Sequence, residues 1–114
     1  MEKKILGLYL DTPLVSALQE ENQSCIVRSF SGRRFLENIQ SYQPALILAD
    51  ISVYEKEVYE ICFWLKQSEY ASIPLVIISD ALSINAELGT YYCEAFIAKP
   101  VRLRVLMSLI DAYT

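Results

Sequence analysis

Apolar positions along the chain fall into blocks of two kinds. Residues 4–10 (KILGLYL) form a near-continuous apolar run, the pattern of a strand covered on both faces. Residues 25–30 (CIVRSF), 45–50 (ALILAD), 73–79 (IPLVIIS) and 95–98 (AFIA) repeat it. Between these runs the spacing is helical. Thr12 and Pro13 read as N-cap and first helical position, with Leu14, Ala17 and Leu18 following. Residues 31–42 predict a helix capped by Ser31, with Phe35, Leu36 and Ile39 facing inward. In residues 55–67, Val58, Ile61, Cys62 and Leu65 make one apolar stripe. A last helix is expected from about 101 to 113. Residues 80–92 (DALSINAELGTYY) hold at most a short helix, with Gly89 as its stop.

Five short strands alternating with helices predict an α/β fold: a doubly wound five-stranded parallel sheet with helices on both faces. Residues 1–114 read as one domain, with no linker, repeat or low-complexity tract. In such sheets a ligand site forms beyond the carboxyl ends of the strands, near the point where strand order reverses. Those ends are expected to carry Asp11, Asp50, Ser79 and Lys99 followed by Pro100. Two carboxylates, a hydroxyl and an ammonium form a chemically coherent set. One carboxylate can attack a phosphoryl group, and the other can help hold a magnesium ion. The hydroxyl and ammonium can bind the phosphoryl oxygens.

Composition narrows the chemistry further. A net charge of −4 leaves no Lys/Arg stripe to neutralise phosphates, which argues against nucleic-acid binding. No apolar run approaches the ~20 residues of a membrane helix, and the N-terminus lacks a signal-peptide pattern; a cytoplasmic location is expected. Three widely spaced cysteines, Cys25, Cys62 and Cys93, suggest neither a disulfide framework nor a zinc site and read as small core hydrophobes. The absence of histidine removes Ser-His and Cys-His catalysis.

Asp50 at the end of the third strand, Ser79 after the fourth and Lys99-Pro100 after the fifth make the whole chain resemble the CheY-like receiver domains of two-component response regulators. The resemblance implies a flavodoxin-like strand order 2-1-3-4-5. It implies Asp50 as phosphoacceptor, with Ser79 and Lys99 assisting, and a phosphorelay role with no enzymatic activity of its own. It implies weak Mg2+ held by Asp11, Asp50 and the backbone carbonyl of Ser52. It also implies a cis Lys99–Pro100 bond and Phe96 at a switch position. The expected partners are a sensor histidine kinase or phosphotransfer protein and a downstream effector or attached output domain, with a homodimer among the arrangements the fold allows.

Several residues depart from the family pattern. The acidic pair usual at the first strand end is matched by Leu10 and Asp11; Val53-Tyr54 stands for Met-Pro, Val58 for Gly, and Asp80 for a small residue. A carboxylate at 80, if turned inward, would oppose an incoming dianion. Simpler roles stand beside the chemical ones. Asp50 can be a turn residue, Asp11 a helix cap and Ser79 a strand end, while Arg33 and Arg34 read as a solvated face. Two functions therefore stay open: a switch phosphorylated at Asp50, and a pseudo-receiver that is not phosphorylated and docks other proteins.

Overall fold

A computed structural model describes residues 2–80 and 93–114. Chain order is β1 (Lys3–Leu8), α1 (Thr12–Glu21), β2 (Cys25–Phe30), α2 (Gly32–Tyr42), β3 (Leu46–Asp50), α3 (Glu55–Gln67), β4 (Leu75–Ser79), β5 (Ala95–Ala98) and α4 (Leu103–Tyr113). The five strands form one parallel sheet in the order β2-β1-β3-β4-β5, as expected. Every residue of β3 and β4 is buried, which is why those segments read as unbroken apolar runs rather than alternating ones.

The helices cover the sheet on two sides. Phe35 and Ile39 of α2 join Val58, Ile61, Cys62 and Leu65 of α3 in one core cluster, with Leu6, Leu8, Ile47 and Ile77 from the strands. Leu18 of α1 meets Leu106 and Ile110 of α4 in the other, over Ile5, Leu48, Val76 and Ile78. At the far end from the candidate site, Glu94 ties β5 to its neighbours. One of its oxygens pairs with Lys66 Nζ at 2.9 Å and the other accepts the Leu75 amide at 2.6 Å.

Several boundaries differ from the pattern reading. β1 ends at Leu8 rather than running on to Asp11, because Tyr9 turns into the left-handed region at φ 61°. Asp11, not Thr12, is the N-cap of α1, its Oδ1 accepting the Leu14 amide at 2.8 Å. Leu36 is 40% exposed instead of facing inward. Ser31 does precede α2, but its side chain makes no capping bond. Cys93 is only half-buried, unlike Cys25 and Cys62. The expectation for residues 80–92 falls, from 81 on, outside the described residues.

Burial pushes the Cys62 thiol up to about 12, with nearby Cys93 adding to the rise, and burial likewise pushes Cys93 up to about 11. In the unfolded chain both thiols ionise near pH 8.5. The folded form therefore favours the neutral thiols, and their contribution is complete below the unfolded value and lost as pH rises toward the folded values. Stability to urea is expected to fall between about pH 9 and 12, and Cys62→Val is expected to flatten that decline. An unchanged slope in the variant would show that the thiol does not drive it.

Candidate functional site

β3 delivers Asp50 to the carboxyl edge of the sheet with only 7% of its surface exposed. A carboxylate that deep in the molecule needs partners for its lone pairs. Oδ2 faces Lys99 Nζ at 2.9 Å, and Oδ1 accepts the Ser52 amide at 2.8 Å. Lys99 reaches this position from just beyond β5, where its own amide donates to the Ser79 carbonyl at 2.9 Å and extends the β4–β5 pairing by one residue. The Lys99–Pro100 bond is cis, as the resemblance implied. Lys99 is about one-third exposed, so the pair sits at the rim of a cleft and not in a sealed core.

That cleft, of about 380 Å³, is lined by Asp11, Leu14, Asp50, Ile78, Lys99 and Pro100 among others. The structure thus brings Asp11, Asp50 and Lys99 to one cavity. Ser79 is fully buried at the end of β4 and is not on the cleft wall; its hydroxyl donates to the Asp80 carbonyl at 3.2 Å. Asp80 itself is exposed. Phe96 is half-buried against the α2–α3 core cluster. Beside Asp50, the Ser52 hydroxyl is buried without a hydrogen-bond partner among the described residues.

The end of β1 decides what else can reach Asp50. Pairing between β1 and β3 closes at Leu8 opposite Ala49, so the residue alongside Asp50 is Tyr9, followed by Leu10. This corrects the reading that set Leu10 and Asp11 at those places. Tyr9 turns its ring away toward α3. It stacks on Tyr54 at 4.5 Å between centroids, and its hydroxyl donates to the Glu57 carboxylate. Burial, then that bond to Glu57, raise its phenol above the usual value. Leu10 is buried with Ile5 and Leu18, its amide donating to Ser29 Oγ at 2.9 Å. Its side chain lies over Gly7, where a Cβ would come within 2.5 Å of Leu10 Cδ1. Gly7 and Leu10 are thus matched in shape, a signal that spacing alone did not reveal.

Magnesium prefers oxygen ligands carrying negative charge. Asp50 and Asp11 are the carboxylates on the cleft wall, and Lys99 offsets one of them. One oxygen of Asp11 is committed to the helix cap. The Ser52 hydroxyl adds an oxygen but no charge. Among the described residues no group of three His, Cys, Asp or Glu side chains could hold a metal ion. Among the described residues, the donor set does not fit a firmly held magnesium ion.

No family model matches the sequence. The chain is 30% identical over 117 residues to the polar-differentiation response regulator DivK of Brucella ovis, covering 99% of this chain and 91% of that protein. It belongs to the response regulator receiver family. Two solved structures agree. The N-terminal domain of the nisin resistance regulator NsrR matches with a TM-score of 0.82 at 27% identity, covering 99% of this chain and 98% of that one. The chemotaxis response regulator CheY4 of Vibrio cholerae matches with a TM-score of 0.83 at 15% identity over 100% of both chains. Within this receiver fold, Asp50 and Lys99 keep the strand-end places that the sequence assigned, while the chain just beyond β1 puts Tyr9 and Leu10 where Leu10 and Asp11 were expected.

Lys99→Met would leave the buried Asp50 carboxylate without its cation. Breaking a buried pair costs about 3–5 kcal/mol, and solvent at the exposed end of Lys99 reduces this to about 2 kcal/mol. Asp50→Asn combined with Lys99→Met is expected to recover most of the loss in urea unfolding. A double variant no more stable than Lys99→Met alone would mean that the pair does not carry the effect.

Proposed function

We propose that this receiver serves signal transduction as a docking module, with Asp50 and Lys99 kept as a standing ion pair rather than cycled by magnesium-dependent phosphorylation. The observation that carries this reading is the pairing register that puts Tyr9 alongside Asp50 and turns Leu10 into the core. Phosphoryl transfer to a carboxylate brings two negatively charged groups together, and a nearby cation must offset that repulsion. Here Lys99 is the cation within reach, and it already serves the ground state of Asp50. The module would then be read by its partner through surface shape and charge. Among the described residues no helix is long and apolar enough to cross a membrane, and a cytoplasmic role beside other signalling proteins is part of the proposal.

A second reading has its own support. Asp50, Ser79 and Lys99 do end adjacent or near-adjacent strands at one edge of the sheet. In that reading a sensor histidine kinase or phosphotransfer protein donates to Asp50, and an effector or attached output domain responds. Lys99 would swing from the carboxylate to the new phosphoryl oxygens, and Ser79 would need its hydroxyl to turn toward the cleft. Any magnesium would be weakly held by Asp11, Asp50 and the Ser52 carbonyl, supplying charge neutralisation.

Intact-mass spectrometry during incubation with acetyl phosphate and excess magnesium separates the two readings. No phosphoryl adduct is expected on the parent chain over the time in which DivK of Brucella ovis, run alongside as a comparison, is assayed. An adduct on the parent that disappears in Asp50→Asn would overturn the docking reading in favour of the phosphorylated switch.

A further inference from the structure

The large apolar side chains left exposed among the described residues are concentrated on α2, α3 and the turn before α3. Leu36 on α2 is 40% exposed and Trp64, the chain's single tryptophan, is 44% exposed on α3. A Cβ added at Gly32 would meet Glu57 and Ile61, so the start of α2 lies level with the second turn of α3. Both helices follow strands of a parallel sheet and run in the same direction. Advancing both at about 1.5 Å per residue puts Arg33 and Arg34 level with Glu60, and Leu36 level with Trp64. Beyond Trp64, whose ring lies 6.0 Å from that of Tyr70, the groove between the helices opens into a cleft of about 400 Å³ bordered by Gln40 and Tyr70.

We infer that this α2–α3 face joins two copies of the chain. An isologous contact requires a face complementary to itself. This one carries the Arg33 cation on α2 and the Glu60 anion at the same height on α3. A two-fold axis lying in the contact and parallel to the helices places α2 of one copy over α3 of the other. Arg33 then meets the partner copy's acidic helix turn, and the Leu36 side chain meets the partner copy's indole, both twice over. Arg33 is available for this. Arg33 is 94% exposed and its present neighbour Glu37 stands 3.5 Å away at the surface, an arrangement worth little. A partner of uniform charge would suit one helix and repel the other, whereas a second copy suits both. Tryptophan and arginine are also the side chains that most often anchor protein contacts.

This inference rests on the reading that the module works through protein contact. Sedimentation equilibrium of the full chain from micromolar to millimolar concentration is expected to show a monomer–dimer equilibrium, with the Trp64 emission shifting to the blue as dimer forms. Arg33→Glu and Glu60→Arg, both at exposed positions, are each expected to weaken association about tenfold or more. The combined exchange is expected to restore it, since the charge pattern is then only reversed. A monomeric mass through the millimolar range, or a double exchange no better than the singles, would overturn the proposal. A monomer that gains no phosphoryl adduct overturns only this inference. A dimer that is phosphorylated at Asp50 overturns only the docking reading.

Discussion

A carboxylate at the end of a fully buried strand is the constraint around which the carboxyl edge of this sheet is arranged. Asp50 is nearly inaccessible, and an unpaired charge there would cost several kcal/mol. Its two oxygens are satisfied by groups from different parts of the chain: the Ser52 amide, two residues on, and the Lys99 ammonium beyond β5. The ion pair therefore spans β3 and the outermost strand, across β4, and fixes how the β5–α4 connection closes over the sheet. The neighbouring cleft takes its shape from that closure.

The chain just beyond the first strand sets the other side of this site. A strand continuing straight to Asp11 would point successive side chains alternately at the two faces. Instead Tyr9 adopts a left-handed conformation that non-glycine residues seldom take, and the chain turns early into the cap of α1. The aromatic ring that leaves the cleft is held elsewhere, by Tyr54 and Glu57 at the start of α3. This links the loop after β1 to the loop that carries Ser52. Where the resemblance implied an acidic neighbour for Asp50, an aromatic contact joins two loops, and the Asp50 charge is balanced by Lys99.

Much of this was legible in the residue pattern. The fully buried β3 and β4 announced themselves as unbroken apolar runs, and α3 matched its four-residue stripe with identical limits. Asp50 and Lys99 could be placed together because a lysine following a buried strand needs an anionic partner. The first strand end was misread because "GLYLD" gives no mark of where extended structure stops; the left-handed turn at Tyr9 is a tertiary effect, fixed by its contacts with Tyr54 and Glu57. Leu36 deceived for a different reason. It lies on the flank of the helical stripe, and periodicity alone does not say how far around the helix the core extends. Asp80, which raised a concern about charge in the pocket, is exposed next to Ser79 and does not line the cleft beside Asp50.

The central claim is that Asp50 is balanced by Lys99 in a centre without a firm divalent-cation site, because Tyr9 stands where a second carboxylate would be needed. Manganese, a paramagnetic substitute for magnesium, tests this through the amide resonances of Ile51 and Ser52 beside Asp50. In the parent chain and in Tyr9→Asn those signals are expected to keep their intensity as sub-stoichiometric manganese is added. In Tyr9→Asp they are expected to broaden selectively. Selective broadening already present in the parent chain, no stronger in Tyr9→Asp, would contradict the claim.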